Sequence, residues 1–200
     1  MVTEVLRQIT ALMGFVFCGG LVAHAGIFNA VHFVDPGKFA LGLEPEMTLT
    51  HGASVGLNLK FIQGVSDVIN LSGIVGTGSG SRKFRTGVSA VFDIFPDIEG
   101  QPGIGFGTQG IYYRLTDTSS FELTAFPYIH KTFVSGANEV EPFIGIPFGL
   151  NFTDGQYKAV STIVLGSMFK STESVRYSME FGVAVNNAES YISGGIVYYY

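Results

Sequence analysis

Residues Val175–Asn186 alternate without a break. Val175, Tyr177, Met179, Phe181, Val183 and Val185 are apolar, whereas Arg176, Ser178, Glu180, Gly182, Ala184 and Asn186 are small or polar. A period of two places these sets on opposite faces of an extended strand, and a helix would scatter both around its circumference. The stretch is also long. Strands of soluble sheets run to about 5–6 residues, whereas about 9–11 are needed for a tilted strand to cross a bilayer.

The same pattern recurs along the chain. It predicts strands over Phe39–Thr50, Ala53–Gln63, Val68–Thr77, Lys83–Phe95, Gly103–Leu115, Phe121–Val134, Val140–Phe152, Tyr157–Lys170, Val175–Asn186 and Tyr191–Tyr200. Turns separate them, the clearest being Asp154-Gly155, where both residues tolerate positive φ. The stretch Pro96–Pro102 is the least strand-like part of this region. No helical period intervenes. Ten consecutive strands joined by short connections give an up-and-down antiparallel meander. An open sheet of this size leaves two raw edges, and closure into a barrel removes them. The fold class predicted is all-β, a transmembrane β-barrel of about ten strands.

The first 25 residues read as a cleaved signal peptide. Arg7 supplies a positive charge, Ile9–Val22 is apolar, and Ala23-His24-Ala25 is a small-x-small cleavage site. The barrel domain is then residues 26–200. Cys18 is the single cysteine and leaves with the signal, which excludes disulfides and thiolate metal sites from the mature chain. No metal-ligand spacing or cofactor motif is visible. Gly76–Ser81 is glycine-rich, but a strand follows it, and a phosphate cradle needs a helix N-terminus there. With a net charge of −5 and no basic patch, nucleic acid is not an expected partner.

The phase of the alternation decides which face looks out. With 27 glycines, 18 phenylalanines and 9 tyrosines but only 14% charged residues, the composition suits a surface that tolerates no charge. The apolar face carries several large side chains on every strand, too many to fill the inside of a narrow barrel. They are therefore assigned to lipid, and the small and polar set to the lumen. The inward candidates are Glu44, Glu46, Lys60, Lys83, Arg85, Asp93, Glu122, His130, Glu141, Arg176 and Glu180. Charges of both signs removed from bulk water need partners, so networks across the lumen are expected. Ten strands are well below the 16–18 that leave an aqueous channel, which argues against a general porin.

Two other readings remain open at this stage. A secreted lipocalin-like binding barrel would turn the apolar face inward. A barrel enzyme acting on lipid would need a nucleophile or base grouped with a histidine. His32 lies in the lead-in and His51 in a turn, which leaves His130 as the residue to test.

The closing stretch carries a resemblance. In Tyr191–Tyr200, residues Ile192, Gly194, Ile196, Tyr198 and Tyr200 share one face, and the chain stops on the aromatic. Together with the signal, the alternation and the even strand count, this resembles the small bacterial outer-membrane β-barrel proteins. The resemblance implies location in the outer membrane, contact with its lipid, and recognition of the C-terminal strand by the assembly machinery. It also implies both chain ends on the periplasmic side, and a structural or permeability role in which the barrel serves at most as a narrow small-solute pore. The long extracellular loops of larger members are missing.

Overall fold

The computed structural model describes residues 32–50, 53–80, 83–114, 118–136 and 138–200. The expected signal peptide and His51 lie outside the described residues. Twelve strands are present among the described ones: β1 (Phe39–Thr48), β2 (Val55–Ser66), β3 (Ile69–Gly78), β4 (Phe84–Phe95), β5 (Gly103–Arg114), β6 (Ser119–His130), β7 (Phe133–Ser135), β8 (Asn138–Gly145), β9 (Phe148–Thr153), β10 (Gln156–Lys170), β11 (Val175–Asn186) and β12 (Tyr191–Tyr199).

They build ten staves. The short β7 continues β6 past Lys131-Thr132, and β8 and β9 are halves of one stave, since both pair with β10 on one side and β6 on the other. The break at Ile146-Pro147 has a chemical cause, because proline has no N–H to give the ladder. The flanking groups still bond across it. Ile146 N donates to Pro127 O at 3.1 Å and Thr162 N to Pro147 O at 2.9 Å. Every stave is antiparallel to its neighbours, and β12 pairs with β1 from Ala40↔Tyr199 to Thr48↔Tyr191, closing the sheet on itself. Asp154 and Gly155 both have positive φ, 51° and 73°, as the tight hairpin between β9 and β10 requires.

The large apolar side chains point outward. Leu57, Phe148 and Phe181 are 45%, 49% and 40% exposed. Aromatic residues form a band near each end, where amphipathic rings meet the membrane interfaces. Tyr112, Phe121, Phe152 and Tyr157 stand opposite one another on four adjacent strands. At the end that carries the lead-in and Tyr200, Phe61, Phe39, Tyr200 and Tyr198 run in sequence with ring centroids 5.7, 4.5 and 4.6 Å apart.

The inside is filled, and not by small and polar groups alone. Phe126, Tyr128, Phe143 and Met168 point inward with Val34, Ile62, Val91, Val164 and Val197, forming an apolar cluster in the lumen. β5 makes room for part of it. Its inward glycines Gly103, Gly105 and Gly107 pair with His130, Tyr128 and Phe126 of β6. A Cβ at any of the three would overlap the ring opposite. That explains a glycine-rich stave in a strand whose backbone needs no unusual φ.

Candidate functional site

The barrel interior is the only enclosed region among the described residues that collects charge, and the strands bring it together by register. Inward positions of β1 and β2 place Glu44, Glu46, Asn58 and Lys60 side by side, and β4 brings Arg85 across from β3. Arg85 bonds Glu46 through Nη2 and Asn58 through Nε. Asn58 Nδ2 donates to Glu44 O at 3.1 Å. Lys60 Nζ lies 3.5 Å from Glu44 Oε1. Arg85 is only 1% exposed and Glu44 0%, so this lock is fully out of bulk water. Gly76 is part of it, because a Cβ there would strike Asn58 and Arg85. Farther toward the end opposite Phe39 and Tyr200, Tyr191 OH donates to Glu180, and Thr48, Ser54 and the ladder form a hydroxyl cluster with Thr48 Oγ1 2.9 Å from Ser54 Oγ.

A second cluster sits at the end that carries the lead-in and Tyr200. His130 Nδ1 is 2.8 Å from Glu141 Oε1, and its Nε2 is 3.7 Å from Asp93 Oδ1. His32 Nδ1 approaches the other Glu141 oxygen at 3.4 Å. Eleven residues separate His130 from Glu141 in sequence, and the β6–β8 pairing His130↔Phe143 brings them together. Arg176 binds Glu139 at 2.6 Å beside them, with Lys170 at 3.9 Å.

The lead-in closes this mouth. Residues 32–34 enter the lumen: Val34 is 2% exposed and Phe33 packs against the apolar cluster, while Asp35 stays in water outside. Asn70, itself buried, accepts from Val34 N at 3.3 Å and donates to His32 O at 3.4 Å, so one side-chain amide reads two backbone groups of the same extended segment. The His32 ring stands edge-on to Tyr199 at 5.3 Å. Gly37 N and Lys38 O bond the backbone of Gly64, where a Cβ would collide with Val34 O and Asp35 O.

Beyond the mouth, the Pro96–Pro102 stretch is an ordered clasp. Lys131 Nζ is received by Asp97 Oδ1 at 2.6 Å, Ile98 O at 2.8 Å and Gln101 O at 3.0 Å, and Thr132 N donates to Asp97 Oδ2 at 2.6 Å. Burial pushes the Asp97 carboxyl up, but the bonds from Lys131 and Thr132 outweigh it and hold the group below the usual carboxylate range.

Glu44, Glu46, Lys60, Arg85, Glu122, His130, Glu141, Arg176 and Glu180 all lie buried on the lumen side, and Asp93 is half-buried there. Lys83 does not: it is exposed at the rim, because β4 begins one residue later, at Phe84, and its side chain lies beyond the wall. Sequence reasoning passed over Asn58 and Asn70 as ordinary polar strand residues, and over Glu189, which sits in a turn yet is 1% exposed. Asn70 stood on the inward phase of its strand, which was the available signal. Glu189 gave none.

No family model matches the chain, and no curated protein does. Among solved structures, an outer-membrane channel from Pseudomonas putida F1 is similar over 88% of this chain and 100% of its own, at 8% identity and a TM-score of 0.50. The N-terminal β-barrel domain of Pseudomonas aeruginosa OprF matches over 82% of this chain and 98% of its own, at 11% identity and a TM-score of 0.39. The translocator domain of the autotransporter NalP from Neisseria meningitidis matches over 98% and 95%, at 8% identity and a TM-score of 0.41. At such identities the likeness concerns fold, and the fold shared with the P. putida channel is that of a closed outer-membrane β-barrel.

Proposed function

We propose that the protein is an integral outer-membrane barrel with a permeability role, closed at rest and passing only a narrow class of solute. The observation that carries this is the sealed lumen. Charged side chains of both signs, from Glu44 at 0% to Arg176 at 6% exposure, interlock across a barrel whose mouth is stopped by its own lead-in. Buried ion pairs are a poor way to gain stability, since their desolvation costs about as much as the pair returns. A purely structural barrel would fill its interior more cheaply with apolar side chains. Outer-membrane lipid is the partner assigned to the apolar exterior, and the assembly machinery the partner assigned to the C-terminal strand. His130 is read as an internal pairing residue rather than a base: its nitrogens face Glu141 and Asp93, and Gly103 is packed against its Nε2 face.

Planar-bilayer recording tests the proposal. The unaltered barrel should be nearly silent. A variant combining Arg85→Ala with Phe33→Ser and Val34→Ser removes the lock and loosens the lead-in, and should give steady current. Silence from that variant, once it is seen to refold by its gel migration, would overturn the reading.

A further inference from the structure

We infer that the middle of the lumen holds a binding site for one small neutral polar molecule, of the size of water, that both donates and accepts hydrogen bonds. This rests on the permeability reading above and names the class of permeant for the same lumen.

Four inward positions form a polar belt by register: Ser72 of β3, Ser89 of β4, Gln109 of β5 and Thr124 of β6. The two serine hydroxyls bond each other at 2.6 Å. Gln109 is 94% buried, and among the described residues its amide makes no hydrogen bond. Thr124 Oγ1, next to it on the belt, is buried and likewise has no partner among the described residues. A buried hydroxyl left unmatched, as Thr124 Oγ1 is, destabilises the fold, and so does a mostly buried amide with no partner. Natural interiors therefore meet such groups with a ligand or water.

The space is there. A cavity of about 10 Å³ is lined by Gln109, Ser72, Ser89 and Lys60, with Ile74 and Ile111 forming its apolar side. A second cavity of about 10 Å³ adjoins it, lined by Lys60, Ser72, Asn70, His32 and Tyr199. Ser72 and Lys60 border both. Each is near the minimum that admits one water. Two such spaces in sequence lead from beneath the lead-in to Gln109. An ion would arrive among groups already paired, since Lys60 faces Glu44. A neutral molecule can use the Gln109 amide in both senses, as donor and acceptor. A sugar or amino acid is too large.

Two measurements test the site. In the refolded, otherwise unaltered barrel, the Gln109 side-chain amide protons should show cross-relaxation with water, assigned by their disappearance in Gln109→Leu. A dry amide would overturn the proposal whatever the barrel conducts. In proteoliposomes of the opened variant described above, osmotic shrinkage should be at least several-fold faster than in empty vesicles, while arabinose remains excluded. Adding Gln109→Leu should remove most of the gain, and Gln109→Asn should restore part of it. Unchanged water flux in Gln109→Leu, or free entry of arabinose, would overturn the site while leaving the permeability reading standing. If the opened variant neither conducts nor passes water, the permeability reading fails, and the amide–water contact alone decides the site.

Discussion

At the scale of single residues, burial decides which charges matter. The Lys170–Glu173 and Lys38–Asp35 pairs are close, at 2.8 and 2.7 Å, but Glu173 is 90% exposed and Asp35 70%, where water screens the attraction. Asp97 is different: it receives an ammonium and an amide in a partly buried clasp. Asp97→Asn should lower the stability of the barrel by roughly 1.5–3 kcal/mol, the range for hydrogen bonds to charged groups, read as an earlier loss of the folded band on heating. The sign of its pH dependence follows from the lowered carboxyl. The clasp contributes in full above the unfolded carboxylate value of about 4. That contribution drains away only as acid carries the solution down through the still lower folded value. The wild-type barrel and the variant should converge there and differ most near neutrality. None of this was legible beforehand. Asp97 and Lys131 are 34 residues apart; Asp97 looks like an ordinary polar residue in a turn, and Lys131 like one in the predicted strand Phe121–Val134.

At the scale of elements, a strand's composition answers to the strand beside it. The alternation in Val175–Asn186 or Phe39–Thr48 was enough to place ten staves and to choose the inward phase, because a residue's face depends on parity alone. What parity cannot supply is which residue stands opposite. Gly103, Gly105 and Gly107 read as a weak, flexible strand until register sets them against His130, Tyr128 and Phe126. The rings of β6 lie over the bare backbone of β5. Gly107→Val should therefore cost about 1–3 kcal/mol or more by overpacking, whereas the same change at Gly110, which faces outward near Phe121 and Leu123, should cost less. Denaturant midpoints of the two variants, measured in the same detergent, check the contrast. The lead-in was missed for the same reason. His32-Phe33-Val34 has no period to read, and its place is set by Asn70, whose role depends on a contact 36 residues away.

At the scale of the whole molecule, the barrel is turned inside out relative to a soluble one. Its greasy wall requires detergent or lipid, and its charged groups are hidden. The aromatic rows at the two ends mark the interfaces, and the end with Phe39 and Tyr200 carries the lead-in and the Asp97 clasp. A closed sheet with no free edge resists local unravelling. In an outer-membrane fraction, the unheated protein should migrate on a denaturing gel apart from its boiled form, and identical mobility would contradict closure.

The seam between β1 and β12 sets a condition on how the chain comes to be folded. The partners that zip it, Ala40 with Tyr199 and Thr48 with Tyr191, are separated by most of the polypeptide, so nothing made early can be finished early. Until the last stave is delivered, a growing ribbon keeps two hungry borders, each able to capture another copy as readily as its own mate. Keeping nascent copies apart is therefore as much a requirement of this architecture as any contact within it.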